Sequence, residues 1–520
     1  MSKSGEQILK RADKAFSKKE QWRGILNDAY RMTNPQQNIY DMVGEGQSKV
    51  AHLFDSTGPV STRRAVNRFI NNVFPDEQNW CAMVAGPATP KAQVKNLNAK
   101  LQQATEMGFS IIHNKSNFQS NIAQMVHEMW ISTGIMTVQK GKTIAAPVLF
   151  MTLPQAQVAI EEGPCNTVGA KFRRFEMPCQ NIKPTWEDAK LTEDLVKMIE
   201  EDGTKTVCLT EITYTDYDEN QVYYCLVHDK KKEKIVERKL RMDRFIVGRL
   251  SNAPNEVYGR GPVLDAVPDL KTQNKLVELV LKNATLAISG PYTVVDDGVL
   301  NPDNVVIGPL RMIPVARNAG HPAGPSMAPL ERSGDFNIAF MEYERLKTSI
   351  RDALLDSDLP AYDGAPKTAA EILARVRQYV EDTGAFYGRT KREIIVPIWQ
   401  NLLDIMANDW KMIDPIVIDG NFINLQITSP LALQQNIREV EAVVQGMEIS
   451  KSMFGPEQTQ MVFKTEEIIP WIARKLNVPE SLLRSDEEMS MIKEGAAAAI
   501  TSAEEVAPGT GLNIAQQALR

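Results

Sequence analysis

A lysine-glycine segment is the first candidate for chemistry in this sequence. Lys140-Gly141-Lys142-Thr143 resembles the end of a phosphate-binding loop. That loop needs its first glycine five residues before Gly141, and the residue at that position is Met136. We therefore interpret residues 140–143 as a polar hairpin turn and do not predict nucleotide hydrolysis.

Three nearby carboxylates, Asp356, Asp358 and Asp363, suggest a metal or nuclease site. A calcium loop of the EF-hand type needs glycine at its sixth position and glutamate at its twelfth, and Ala361 and Lys367 stand there instead. Unpaired aspartates are costly to bury, so we expect a solvated acidic loop. The histidines have no ligand spacing either, and the sequence predicts no metal and no cofactor.

A third candidate, Phe172-Arg173-Arg174-Phe175, interleaves bases with aromatic rings that could stack on single strands. One strand with an apolar and a charged face explains the alternation better. No GxSxG or HExxH motif occurs. The residues therefore indicate a large structural or interacting protein, and we predict that it is not an enzyme.

The composition of the chain limits the class of protein to which these residues belong. The chain has 520 residues, of which 43% are hydrophobic and 24% charged, which is typical of two to four compact units. Five cysteines without CxxC spacing argue against disulfides and zinc and favour a reducing cytoplasm. No apolar run approaches the length of a membrane span. The net charge of −6 argues against tight wrapping of nucleic acid but is compatible with a surface past which DNA slides.

The pattern of elements predicts an α+β protein. A helix over 5–32 begins at a capping box of Ser4 and Gln7, and an apolar stripe predicts a helix ending at Val73. Further helix is expected over 92–133. Short β-branched and aromatic runs then predict strands from 134 to 250, interrupted by a short helix near 187–201, with a hairpin in YTDYDENQVYYCLV.

The second half of the chain is predicted to be mainly helical. Two long helices, over 261–289 and 334–355, flank the proline-rich segment 290–332. A capping box at Thr368 and Glu371 opens a helical stretch that continues almost to Trp410, with a kink expected from Gly384, Gly388 and Pro397. The last hundred residues also show a helical pattern.

The order and spacing of several motifs resemble the portal (head-to-tail connecting) proteins of podoviruses. The resemblance spans roughly residues 20–430 and ends with Glu393-(x)3-Pro397-Ile398. The motif residues that carry it are Asp55, Ser56, Thr57 and Gly58, then Tyr258, Gly259, Arg260, Gly261 and Pro262, then Thr368 and Glu371.

The resemblance implies the portal-protein fold: an α/β wing, a two-helix stem, a clip, a kinked tunnel helix and a helical C-terminal crown. It implies the following parts: wing 1–260, first stem helix 261–289, clip 290–332, second stem helix 333–355, tunnel loop 356–367, tunnel helix and return to the wing 368–430, crown and tail 431–520. The implied DNA-channel residues are Asp356, Asp358, Leu359, Tyr362, Asp363, Lys367 and Arg375.

The same resemblance implies a ring, usually of twelve subunits, at one capsid vertex of a virion assembled in the host cytoplasm. Its implied partners are double-stranded DNA in the channel, the terminase large subunit, tail adaptor or nozzle proteins, and the major capsid and scaffolding proteins. No membrane partner is expected. Another virion structural or scaffolding protein, and an enzyme with an unrecognised site, remain alternatives.

Overall fold

The computed structural model describes residues 4–40, 46–76, 78–217, 219, 221–289, 292–294, 327–329, 336–356, 384 and 386–455, and five single positions beyond them. Helices and strands are mixed along this part of the chain, so the predicted α+β class is confirmed. The chain divides into two compact units. The first comprises Met1–Gln78 and Ala82–Gln426, and the second comprises Asn79–Cys81 and Ile427–Arg520.

Two helices open the first unit, α1 (Gly5–Glu20) and α2 (Arg23–Thr33). The predicted capping box is confirmed, because the Ser4 hydroxyl accepts the Gln7 N–H at 3.3 Å and the Gln7 side chain accepts the Ser4 N–H at 3.1 Å. The prediction of one helix over 5–32 is wrong. The chain turns after α1 because α1 packs on a sheet, whereas α2 packs on other helices.

Three more helices and one strand follow: α3 (Thr57–Val73), β1 (Cys81–Ala85), α4 (Lys91–Asn114) and α5 (Phe118–Ile131). The helix predicted to end at Val73 is confirmed. The helical pattern over 92–133 divides into α4 and α5 around Lys115–Asn117, and Thr133 already belongs to the next strand. Aromatic side chains lock these helices together, with the Phe69 and Trp130 rings edge to face at 5.3 Å.

Two antiparallel sheets form the β-rich part of the first unit. The three-stranded sheet has the order β3-β2-β9, and its strands are β2 (Thr133–Thr143), β3 (Ala146–Leu153) and β9 (Phe245–Arg249). The five-stranded sheet runs in sequence order through β4 (Val158–Glu162), β5 (Val168–Pro178), β6 (Thr206–Asp216), β7 (Gln221–His228) and β8 (Glu233–Leu240). The predicted hairpin is confirmed as β6–β7, with Asp216 opposite Gln221. Two short helices, α6 (Ile182–Thr185) and α7 (Glu193–Asp202), interrupt the strands.

The period of two along β6 divides the core of the first unit into two layers. Ile212 and Tyr214 face α1 and pack with Ile8. Val207 and Leu209 point to the other face, where they join a cluster that includes Phe245 of β9. The five-stranded sheet is therefore covered on both faces, which explains its nearly continuous apolar strands.

Two long helices and a broken one complete the first unit. They are α8 (Pro262–Ser289), α9 (Phe336–Ala353) and α10 (Val396–Asp404). The predicted pair of long helices is confirmed, and short strands β10 (Tyr292–Val294) and β11 (Met327–Pro329) pair antiparallel between them. A π-helical turn precedes α10 at Lys391–Ile395 and another follows it at Ile405–Asp409, which confirms an irregular helix up to Trp410. Strand β12 (Ile423–Ile427) pairs with β1.

The second unit contains one described helix, α11 (Pro430–Phe454), consistent with the helical pattern predicted for the last hundred residues. Gly455, with φ +85°, ends it in the left-handed region that favours glycine. Before the helix, the Thr428 N–H donates to the Trp80 carbonyl at 2.9 Å. None of the described helices of either unit is long and apolar enough to cross a membrane.

Candidate functional site at the base of the two long helices

Helices α8 and α9 form an antiparallel pair, and the motif residues that the structure describes cluster around one end of it. Helix α8 has 28 residues and is therefore about 42 Å long. The Ser349 hydroxyl near the end of α9 donates to Asp269 near the start of α8 at 3.0 Å. We call this end, with the motif segments 55–58 and 258–262, the helix base.

The first motif segment ties α3 to both long helices. The Asp55 carboxylate accepts the Thr57 N–H at 2.9 Å and the Tyr343 hydroxyl of α9 at 3.1 Å. The side-chain oxygen of Asn274 in α8 accepts the Phe54 N–H at 2.7 Å. Ser56 holds the N-cap position of α3 without a side-chain cap bond, so Asp55 is the residue that caps the helix. Burial and the neighbouring carboxylate raise the pKa of Tyr343.

Gly58 allows three helices to meet at the helix base. A Cβ at this position would lie 2.5 Å from the carbonyl oxygen of Met32 in α2 and 2.9 Å from the Leu270 side chain in α8. Both separations are shorter than real Cβ contacts. Capping and packing therefore explain the Asp55-Ser56-Thr57-Gly58 motif.

The second motif segment leads directly into α8. The Tyr258 hydroxyl accepts the Ile160 N–H of β4 at 3.1 Å, and burial raises the pKa of Tyr258 to about 12. The Arg260 guanidinium pairs with Glu256 at 2.7 Å and stacks 5.1 Å from the Trp22 ring. These contacts attach the start of α8 to the five-stranded sheet and to the turn between α1 and α2.

Gly259 and Gly261 bring the same segment against the end of α5. The Gly259 carbonyl accepts the Ser132 hydroxyl at 2.6 Å, and the Gly261 N–H donates to the Ile131 carbonyl at 3.2 Å. A Cβ on Gly261 would lie only 2.0 Å from the Trp130 carbonyl oxygen. Pro262 then opens α8 at its first position, where a missing N–H costs nothing.

The ion pair of Arg249 and Glu393, which the sequence did not predict, supports the segment that precedes α8. Arg249 of β9 is 5% exposed and pairs with Glu393 at 2.6 Å. Its guanidinium also donates to the Val257 carbonyl at 3.0 Å. Glu393 belongs to one of the motifs, but its partner does not. The sequence does contain a signal for this pair. Arg249 is the lone charged residue of the apolar strand FIVGR, and a buried charge needs a partner.

The environment of Asp356 differs from the solvated loop that the sequence predicts. Its carboxylate is fully buried, 3.8 Å from Arg68 of α3 and 3.7 Å from Arg351 of α9. The expectation that Asp356 lies in a solvated acidic loop is therefore wrong, because two guanidinium groups compensate its charge inside the protein. The Leu354 carbonyl beside it accepts the Trp130 indole N–H at 3.2 Å, so the end of α9 is anchored at the helix base.

The other sites predicted for the channel lie outside the described residues. They are Asp358, Leu359, Tyr362, Asp363, Lys367 and Arg375, together with the motif residues Thr368 and Glu371.

The segments tested for chemistry have structural roles. Residues 140–143 end β2 at its tight connection to β3, so the hairpin prediction is confirmed. Phe172 is buried in the cluster that contains Ile8, whereas Phe175 packs on the cluster of the other sheet face, where Arg173 pairs with Glu211 at 3.3 Å. The predicted strand is confirmed, but its division into an apolar and a charged face is wrong, because each face holds one phenylalanine and one arginine. Within the described ranges, no group of three His, Cys, Asp or Glu residues could hold a metal ion.

A buried titratable cluster joins α1, α2 and α5. The Lys19 ammonium donates to the carbonyls of Gln155 and Val158, and the Tyr30 hydroxyl donates to the Glu128 carboxylate. Burial lowers the pKa of Lys19 to about 7 and raises that of Glu128 to about 7. Lys19 and Glu128 each have a hydrogen-bond partner inside the protein, which indicates a structural role.

Close glycine contacts, helix caps and buried ion pairs thus hold the two long helices at the helix base. The family model of the bacteriophage head to tail connecting protein matches residues 5–483. The chain belongs to this family, as the order of its motifs predicted. The family is one of structural connecting proteins and is not a known enzyme family.

Several solved structures are also similar to this chain. One is from the virion of a native gene transfer agent particle, with 12% identity, 77% of this chain and 89% of that chain covered, and a TM-score of 0.32. A chain from the neck of the empty particle has 13% identity, coverages of 82% and 90%, and a TM-score of 0.32. A chain from the neck of the native particle has 14% identity, coverages of 78% and 89%, and a TM-score of 0.31. No curated protein matches the chain.

Proposed function

We propose that this protein is the portal of a podovirus: a ring, of twelve subunits, at one capsid vertex, through which double-stranded DNA enters and leaves. The ring assembles in the host cytoplasm and stays in the virion, surrounded by major capsid and scaffolding proteins. In this proposal α8 and α9 are the stem, 290–332 is the clip, 356–367 is the tunnel loop, 368–430 contains the tunnel helix, and 431–520 form the crown.

One observation carries the proposal beyond family membership. The paired helices α8 and α9 expose large apolar side chains that are each between 50% and 72% exposed: Leu279, Leu281, Ile338, Phe340 and Met341. An apolar surface of this kind marks an interaction site. A ring buries such a surface in every subunit, because each copy contacts a neighbour on both sides through a heterologous, closing interface.

Mass photometry and negative-stain microscopy of the purified protein test the ring. We expect a closed particle with a central hole for the wild type. The variant Leu279→Ser/Phe340→Ser should shift the population toward smaller species, whereas the control Ile144→Ser, which changes a 63% exposed residue in the β2–β3 turn, should not. A wild-type protein that stays monomeric in the assembled virion contradicts the proposal.

The proposed clip, 290–332, contacts the terminase large subunit during packaging and the tail adaptor or nozzle proteins afterwards. Strands β10 and β11 bring the ends of this segment together, so its middle can be removed without stretching the chain. Replacing 296–326 by Gly-Gly, which leaves enough residues to connect the register partners Val294 and Met327, should leave α8 and α9 folded while motor and tail attachment are lost. Global unfolding of that variant contradicts the assignment.

The proposed channel residues are Asp358, Leu359, Tyr362, Asp363, Lys367 and Arg375, and the buried Asp356 begins the tunnel loop. Each subunit has a net charge of −6, so twelve copies carry about −72. The negative potential of such a ring disfavours tight binding of DNA phosphates. Asp358→Lys/Asp363→Lys should raise the affinity of the ring for DNA in a salt-dependent way and slow packaging or ejection. Packaging and ejection at the wild-type rate would show that these residues do not line the channel.

A further inference from the structure

A cleft of about 790 Å³ opens in the first unit between the start of β5, β9 and the helical run that contains α10. We call it the cationic cleft. The charged residues that line it are Lys171, Asp243, Arg249, Arg389, Arg392 and Glu393.

Two of the four cations in the cleft are already compensated. Lys171 pairs with Asp243, and Arg249 pairs with Glu393. Arg389 donates to the neutral side-chain oxygen of Asn252.

Arg392 is exposed and forms no ion pair with any residue that the structure describes. The cleft therefore presents two guanidinium groups that pair with no carboxylate of the described residues, and the planar guanidinium is suited to binding carboxylates in a bidentate manner.

Helix α7 has the complementary charge. Its exposed residues include Glu193, Glu200 and Glu201, and its last turn contains no basic residue. Negative charges at a helix C-terminus oppose the helix dipole. A cationic partner would remove this unfavourable interaction, whereas among the residues that the structure describes only Lys205 pairs with Glu201, at 3.4 Å.

The cleft and α7 lie at opposite ends of the same two strands. Val168 and Lys171, at the start of β5, line the cleft. At the other end of β5, the Gln180 N–H donates to the Gly203 carbonyl just beyond α7 at 3.1 Å. Strands of 11 residues separate the two surfaces by roughly 25–35 Å. A closed ring needs two different complementary surfaces on each subunit, and this pair provides them.

We infer that the cationic cleft receives the acidic end of α7 from the adjacent copy of this chain, with Arg389 and Arg392 facing Glu200 and Glu201. The inference rests on the proposed ring and names one of its interfaces. The occupant is a second copy because both complementary surfaces belong to this chain. The strands between them hold the two surfaces apart within one subunit, so only the α7 of another copy can reach the cleft.

Charge exchange between the two surfaces tests the inference. Arg389→Glu/Arg392→Glu and Glu200→Arg/Glu201→Arg should each lower the ring fraction in mass photometry on the order of 10-fold, because like charges then face one another. The chain that combines both pairs should regain most of the ring. Lys10→Glu/Lys239→Glu changes the charge by the same amount as the arginine variant does, at exposed positions outside the cleft, and should leave the ring fraction unchanged.

The outcomes separate this inference from the proposed function. If the wild type forms rings and the two charge-reversed variants, folded by circular dichroism, also form them, the interface is wrong while the ring stands. The same conclusion follows if the combined variant fails to recover. If the wild type forms no ring, the proposed function fails and the inference falls with it.

Discussion

Gly261→Ala tests whether the helix base controls the position of α8. The glycine lies directly before Pro262, and its N–H donates to the Ile131 carbonyl. An alanine Cβ would stand 2.0 Å from the Trp130 carbonyl oxygen and 2.7 Å from that of Met129. An ordinary contact needs about 3.4 Å, so the end of α5 and the start of α8 must separate by about 1.4 Å, as overpacked sites do.

The cost of this separation is large because the opposing atoms are backbone and cannot change rotamer. Overpacking costs about 1–3 kcal/mol, and weakening the Gly261–Ile131 hydrogen bond adds about 1 kcal/mol. We therefore expect Gly261→Ala to lower the free energy of unfolding by about 2–4 kcal/mol. The matched control is Gly24→Ala, which has nothing within 4 Å of its Cβ and lies in α2, so it should gain about 0.4–1 kcal/mol.

Urea unfolding of both variants, with hydrogen exchange of peptides from 262–275, measures the effect. Exchange should rise in this part of α8 for Gly261→Ala and stay unchanged for Gly24→Ala. Equal unfolding midpoints for the two variants would refute the reasoning, because the close approach would then have no energetic consequence.

Three further predictions concern the charged groups around the helix base and the buried cluster. The pKa of Glu128 is about 7 in the folded protein, above its ordinary value of 4.5. Its favourable contribution to the free energy of unfolding is therefore complete below pH 4.5 and is lost as the pH rises through 7. Glu128→Gln should remove this decline, which is measured as the difference in Tm between pH 5 and pH 7. Glu393→Ala should cost about 3–5 kcal/mol because it leaves Arg249 buried and unpaired, while Glu393→Gln costs less, as urea titrations will show. Asp55→Ala should cost about 1 kcal/mol for the lost cap, and a double-mutant cycle with Tyr343→Phe should show coupling between the two side chains.

Local signals predicted the local structure correctly. The capping box of Ser4 and Gln7, the β6–β7 hairpin and the two long helices depend on residues close together in sequence. The break between α1 and α2 was missed because the pattern from 5 to 32 is helical throughout. What ends α1 is the change of packing partner, from a sheet to other helices, and such a change has no local sequence signal.

The helix base was predicted only in part, for the same physical reason. The order of the motifs identified Asp55, Tyr258 and the glycines, but spacing alone gave no indication of their contacts. The pairing of Arg249 with Glu393 and that of Asp356 with Arg68 were missed because these partners are remote in sequence. An acidic residue beside prolines and other aspartates has the pattern of a solvated loop, and only the fold brings two arginines to it.

The two π-helical turns around α10 have a consequence for comparing sequences. Each π turn holds one more residue than an α turn, and one residue corresponds to a rotation of about 100°. Side chains after Ile395 therefore face another direction than an uninterrupted helix would give them. A relative with regular helix here would align correctly only with a one-residue gap inside each of Lys391–Ile395 and Ile405–Asp409. An ungapped alignment would pair buried positions of one protein with exposed positions of the other. Core residues that the two proteins share would then look like substitutions.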